Sequence, residues 1–289
     1  MIQSFFLKSI RQYFWSKKFT EVEIPYLNPS LPLEPNIYSL KTTWQHKNID
    51  YFLPTSPEFA LKNFITKNKR DCFAISHCFR DLENSNSTHT PEFLMLEWYE
   101  INKNLNDLQI SVQNFVNHFL PKLKFKNIKI KETNFDNEPN FNQYFLNKIE
   151  PNLLHDCGIF ITGYPAFLSP LAKPKFDEIN NFSERSECEA SKPEGSEYRK
   201  NLFMNRISNR FELYINGIEI ANGCEENRDS NSITKSFLQE QEYRLKNQLP
   251  LHPISPNFAK MCSGIPPCSG IGVGIKRLLR IINDHGIRF

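Results

Sequence analysis

No stretch of this chain approaches the ~20 consecutive apolar residues of a membrane-spanning helix, so no transmembrane segment and no membrane partner is expected. No signal-peptide cleavage site follows Met1–Phe6, which open directly into a helical pattern, and a cytoplasmic protein is expected. The seven cysteines contain no CxxC pair, and the Cys72/Cys78 and Cys262/Cys268 spacings are too loose for a zinc site. They read as free thiols in a reducing compartment. Cys224 and Cys268 have no evident partner base, so no cysteine nucleophile is expected. A large charge of one sign is also missing. Thirty-five Lys and Arg against 32 Asp and Glu leave a net +3, short of the basic excess of a dedicated nucleic-acid binder. That balance neither demands nor excludes RNA.

Apolar side chains are present in sufficient number for a core: 39% of the 289 residues are hydrophobic, with 25 Phe, which allows one large domain or two small ones. Ile2, Phe5, Phe6, Ile10, Tyr13 and Phe14 recur at helical spacing and predict an amphipathic helix over 2–19. Alternation over 20–24 predicts a strand stopped by Pro25, followed by a proline-rich loop. A helix is expected over 57–68, with Ser56 as its N-cap and Pro57 at its first position. Strands are expected over 72–79 and 92–100, and helices over 105–120 and 232–247. His77 falls on an apolar strand face and reads as a core histidine. Ser183–Lys200 is nearly devoid of apolar residues and reads as a flexible insertion, set within about 177–205 of one domain spanning 1–289.

Three places could carry chemistry. The first is the hairpin over 211–223, whose Asn216-Gly217 turn suits two residues of positive φ. A two-residue turn sets Ile215 opposite Ile218 and Tyr214 opposite Glu219. Parity then groups Glu212, Tyr214, Glu219 and Ala221 on one face, with an apolar face behind. Glu212 and Glu219 become diagonal neighbours, about 7–8 Å apart, and a Mg²⁺ ion bridging to phosphates would relieve their repulsion; a solvated polar face fits the pattern equally. The second is Arg80 at a strand end, near a strand whose Phe93, Met95, Glu97 and Tyr99 share a face, which suits a nucleotide phosphate and ring. The third is Gly270-Ile271-Gly272-Val273-Gly274, whose alternate glycines clear one strand face, with Arg277 just beyond. This is not the GxGxxG dinucleotide fingerprint.

Together these segments resemble the motifs of class II aminoacyl-tRNA synthetases, lysyl branch, and within it the short ligases that lysylate translation elongation factor P. Phe19–Pro25 resembles motif 1. Phe79-Arg80 with His89–Tyr99 resembles motif 2, and Gly270–Arg277 resembles motif 3. Arg210–Glu212, Glu219–Gly223 and Thr55–Glu58 are the segments most particular to the lysyl branch. The resemblance implies an α+β fold, a mostly antiparallel sheet flanked by helices, and a homodimer joined through motif 1. It implies an ATP-dependent ligase in which Arg80 holds the α-phosphate and Arg277 the far end of ATP. Phe93 would stack on adenine, with Glu83, His89, Glu219 and Gly274 around the nucleotide and Mg²⁺ held by Glu212 and Glu219. Ser56, Glu58, Tyr99, Asn222 and Glu226 would receive lysine or β-lysine.

The resemblance begins at the first residue, leaving no room for the anticodon-binding OB-fold of full lysyl-tRNA synthetases, so a protein acceptor, elongation factor P, is expected in place of tRNA. The chain departs from the family at Leu82, where the acidic residue shifts to Glu83, and at Thr90, Cys224 and Lys276, the last in place of an Asp. Gly272 matches full synthetases, where the factor-modifying enzymes often carry Ala. Two alternatives stand beside the ligase: a truncated synthetase-like enzyme acting on tRNA, and a weakly catalytic regulator that binds lysine or a partner protein.

Overall fold

A computed structural model describes residues 2–82, 90–131, 135, 137–153, 155–176 and 206–287. The expected insertion at 183–200, together with Glu83 and His89, lies outside the described residues. The strands are β1 (Thr20–Glu21), β2 (Lys41–Trp44), β3 (Ile49–Phe52), β4 (Cys72–Phe79), β5 (Glu92–Ile101), β6 (Lys124–Lys129), β7 (Cys157–Thr162), β8 (Pro174–Phe176), β9 (Arg206–Ser208), β10 (Arg210–Ile215), β11 (Ile218–Glu225) and β12 (Cys268–Gly274). The α-helices are α1 (Ile2–Ser16), α2 (Glu58–Asn68), α3 (Leu105–Phe119), α4 (Glu138–Tyr144), α5 (Ser230–Lys246), α6 (Phe258–Gly264) and α7 (Ile275–Asp284). Among the described residues no helix is long and apolar enough to cross a membrane.

Eight strands form one sheet in the order β1-β4-β5-β12-β11-β10-β7-β6. Its inner pairings are antiparallel, and only the edge pairs β1–β4 and β6–β7 are parallel. This is the expected α+β architecture with a mostly antiparallel sheet. Period-two alternation gives the central strands two unlike faces. Leu96 and Trp98 of β5, Ile271 and Val273 of β12, and Phe211, Leu213 and Ile215 of β10 face a core completed by α1, α3 and α7. From α1, Phe6, Ile10 and Phe14 stack four residues apart along one helix face and are buried there. The Phe14 ring lies 4.8 Å from that of Phe73 and 5.1 Å from Trp98. Burial of one such ring contributes about 1.5–3 kcal/mol. The opposite face of the same strands is left open and forms the wall of the cavity described below.

Several local expectations shift. The strand expected over 20–24 is only Thr20–Glu21, because pairing with β4 is confined to Cys72 and Phe73. The helix α2 begins at Glu58, with Pro57 as the residue before it, yet the Ser56 hydroxyl still accepts the Glu58 N–H at 3.3 Å. His77 is exposed and paired with Glu92 at 2.7 Å, so it is no core histidine: the core ends before it on that face of β4, while Cys78 on the other face stays buried. The hairpin keeps Ile215 opposite Ile218 and Tyr214 opposite Glu219, but its register shifts between Leu213 and Tyr214. The bulge at Ile220 sets Ala221 opposite Leu213, against the core, and brings Asn222 opposite Glu212. Ala221 therefore leaves the face that simple parity gave it, and Asn222 joins it.

Candidate active site

The open sheet face lines a cavity of ≈ 620 Å³, a size that suits a nucleotide with a small second substrate. Ten of the thirteen residues expected to serve the site line it: Ser56, Glu58, Arg80, Phe93, Tyr99, Glu219, Asn222, Glu226, Gly274 and Arg277. Of the family departures, Thr90, Cys224 and Lys276 also line it. The alternate glycines do part of what was expected. A Cβ at Gly272 would meet Met95 Sδ at 3.3 Å and Glu97 Oε2 at 3.9 Å on the cavity side. At Gly270 the cleared space is filled from within: a Cβ there would stand 2.3 Å from the Tyr99 ring, so this glycine seats Tyr99.

Two charged clusters share the cavity. The first holds Glu58, Glu97 and Glu226. Glu97 is buried and accepts the Tyr99 hydroxyl at 3.0 Å. Burial and then the Glu58 charge push the Glu97 carboxyl well above the ordinary carboxylate range. Burial pushes Glu226 up to about 7, even though the Lys62 ammonium works in the opposite direction. Lys62 is fully buried on α2, with Nζ 2.5 Å from Glu58 Oε1 and 2.6 Å from Glu226 Oε2. Burial works against its charge, but the Glu226 and Glu58 carboxylates outweigh it and hold the ammonium well above its usual pKa. Glu34 enters from the proline-rich loop, where burial and then the Glu58 charge push it up to about 8.

The second cluster centres on the hairpin. Arg277 Nη1 donates to the Glu219 carbonyl at 3.0 Å and lies 3.3 Å from its carboxylate. Burial and then the Glu212 charge raise the Glu219 pKa, so these two carboxylates do repel across the hairpin. Glu212 sits behind the cavity lining. It is buried and accepts the Tyr164 hydroxyl at 2.6 Å and the Tyr214 hydroxyl at 2.9 Å on Oε2, with the Arg210 guanidinium on Oε1. Two acceptor positions on each carboxylate oxygen leave one on Oε1 for a metal ion. Arg210 also donates to Asn222 Oδ1 at 3.0 Å and lies 4.6 Å over the Tyr164 ring. Arg80 lies 5.1 Å over the Phe93 ring and donates to the Thr55 carbonyl at 3.3 Å.

An anionic, aromatic cup thus adjoins a cationic rim with one cavity-facing carboxylate and a flat ring. This donor set fits a nucleoside triphosphate. The Glu219–Glu212 repulsion and the remaining acceptor on Glu212 fit a divalent cation between carboxylate and phosphate oxygens. Sequence reasoning missed Glu34 and Lys62, and it named Glu97 and Arg210 without giving either a role with the amino acid. The i,i+4 spacing of Glu58 and Lys62 within a helix carrying Leu61 and Ile65 was the available signal for Lys62. Glu97 shared its strand face with Phe93 and Tyr99, and Arg210 stood beside Glu212.

The sequence model described as tRNA synthetases class II (D, K and N) matches residues 1–288. Among related proteins, the elongation factor P–(R)-β-lysine ligase of Buchnera aphidicola subsp. Acyrthosiphon pisum (strain Tuc7) is 29% identical over 314 residues, covering 96% of this chain and 88% of the relative. A protein of the same name from Hamiltonella defensa subsp. Acyrthosiphon pisum (strain 5AT) is 25% identical over 95% of this chain and 88% of its own length. Another, from Pseudoalteromonas translucida (strain TAC 125), is 26% identical over 95% of this chain and 88% of its own length. With its mostly antiparallel sheet, its motif 2 and motif 3 segments gathered on one cavity and this match over nearly every residue, the chain belongs to the class II tRNA synthetase family (D, K and N).

Proposed function

We propose that this protein is an ATP-dependent ligase that activates lysine or (R)-β-lysine and transfers it to a lysine side chain of elongation factor P. The observation that carries this reading is the cup of Glu58, Glu97 and Glu226 around Tyr99, directly beside the arginine-lined part of the cavity. A buried ammonium is strongly disfavoured without carboxylate partners, and this cup offers three. The names of the relatives supply the acceptor.

In the first step a substrate carboxylate oxygen attacks the α-phosphorus of ATP, the bond to the β,γ-diphosphate breaks, and pyrophosphate leaves. Glu58, Glu97, Asn222 and Glu226 hold the amino groups, with Tyr99 and Ser56 shaping the cup. Arg80 neutralises the α-phosphate as charge develops, Arg277 holds the far phosphates, and Phe93 and the cleared face at Gly274 receive the adenine ring. Glu219, with Glu212 behind it, would hold Mg²⁺, which supplies charge neutralisation on the phosphate oxygens. In the second step the acceptor ε-amine attacks the acyl carbon and AMP departs. Lys276 and Arg280 line the cavity from the first two turns of α7 and add positive charge at the phosphate end. Tyr26 and Leu27, exposed just after β1, belong to the surface on which we place a homodimer contact.

Amino-acid-dependent ATP–pyrophosphate exchange tests the reading. Exchange with lysine or β-lysine and not with other amino acids is expected, and Glu226→Gln should abolish it. Exchange with neither isomer would favour a regulator, and an unaffected Glu226→Gln variant would show that the cup is misassigned.

A further inference from the structure

Lys62 takes no part in the chemistry just described, yet it is among the most deeply buried charges in the molecule. It does not line the cavity. It reaches the cup from behind, with Nζ held 2.5 Å from Glu58 and 2.6 Å from Glu226 and 5.6 Å over the Phe258 ring. Three carboxylates around one small volume repel one another, and burial favours their neutral forms. A protonated carboxyl cannot anchor an ammonium. One fixed positive charge behind the cup changes that balance without occupying the space in front of it.

We infer that Lys62 is a positioning residue, a permanent internal ammonium that pins Glu58 and Glu226 as anions from behind the cup. This inference rests on the reading of the cup given above. Among the described residues, Glu97 of β5 and Glu34 of the proline-rich loop also feel the Lys62 charge, and four groups act on it most strongly. Glu58 comes from its own helix, Cys224 from β11, Glu226 from the segment after β11, and Cys262 from α6. The two thiols are uncharged at neutral pH, since burial raises both. Among the described residues, Glu58 and Glu226 are the anions paired directly with it, and either one freed of Lys62 would stand beside the other with its charge uncompensated.

The test is Lys62→Met, which keeps the length of the side chain and removes its charge. The acid limb of kcat/KM for lysine in pyrophosphate exchange should move up by about one pH unit or more, because the cup carboxylates then hold protons more tightly. Lysine KM at neutral pH should rise about tenfold while the KM for ATP stays unchanged. A folded variant whose acid limb coincides with that of the native protein would overturn the inference while leaving the ligase reading intact. Failure of the native protein itself to exchange with either lysine isomer would overturn the ligase reading and this inference with it. If Lys62→Met does not fold, calorimetry of lysine binding to the native protein in buffers of different ionisation enthalpy decides. At a pH of about 8, release of at most about two protons, the number Glu97 and Glu34 can supply, is expected. Release of three or more would mean that the paired carboxylates are neutral in the free cup, and the inference would fall.

Discussion

Replacing Arg244 with methionine should destabilise the protein by about 3–5 kcal/mol and loosen one wall of the cavity. The side chain is fully buried on α5. Its Nε donates to Glu240 Oε1 at 2.6 Å, and its two terminal nitrogens donate to the carbonyls of Glu34, Ile37 and Pro250 at 2.5, 3.0 and 3.3 Å. Its guanidinium also lies 4.5 Å over the Tyr38 ring. Glu34 and Ile37 line the cavity, so this one side chain ties the proline-rich loop to the helix behind it. Methionine fills much of the volume but strands a largely buried carboxylate and three carbonyls, and breaking such a pair typically costs the amount stated. In a chain of this size the deficit lowers Tm by about 6–10 °C.

The deficit should also depend on pH. Burial already raises the Glu240 pKa even with Arg244 bonded to it, and loss of the guanidinium raises it further. A carboxyl with a raised folded-state pKa contributes a penalty that grows as pH rises from the unfolded to the folded value, so the variant should be closest to the native protein in mild acid. Denaturant titrations at about pH 5 and pH 8 read both effects. A loss below about 1 kcal/mol at pH 8 would refute the claim that Arg244 clamps this loop.

Other expectations follow from single contacts. Gly270→Ala puts a methyl group 2.3 Å from the Tyr99 ring; it should cost about 1–3 kcal/mol in a denaturant titration and raise lysine KM, and an unchanged KM would mean that Tyr99 does not shape the cup. The kcat/KM for lysine should fall as pH drops through about 7, because burial raises Glu226 to that value and its anion is the binding form; a flat profile from pH 6 to 8 would contradict this. Phe93→Ala should raise the KM for ATP by about 1–3 kcal/mol in binding terms with little change for lysine, and a reversed pattern would move the adenine elsewhere. Gly217→Val, at a φ of 73° with open space around it, should cost about 1–2 kcal/mol in stability and leave exchange activity unchanged.

The parts of this molecule that were legible beforehand are those whose cause lies within a few residues. Asn216-Gly217 named its own turn, and alternation in β4 and β5 set their bounds nearly to the residue. The cavity wall followed, because Phe93, Met95, Glu97 and Tyr99 had to share a face. The bulge at Ile220 was not legible, because an alternating pattern carries no sign of where one strand slips by a residue. His77 misled because period two tells which side a residue faces but not where the core ends. Lys62 and Arg244 stayed hidden for a longer-range reason. Glu226 lies far along the chain from Lys62, and the Glu34 and Ile37 carbonyls far from Arg244, so no local pattern marks either cation as buried. Glu212 was found for its charge, but its engagement by Arg210, Tyr164 and Tyr214 depends on β7 and β10 lying side by side.

The most direct test is transfer of the activated amino acid. Purified protein with ATP and Mg²⁺ is given labelled lysine or (R)-β-lysine and equal access to elongation factor P and to tRNA, and the product is read by intact mass and by acid-stable label. One lysine-type residue added to a lysine side chain of elongation factor P, dependent on ATP, is the result this account predicts. Label on tRNA with none on the factor would contradict it.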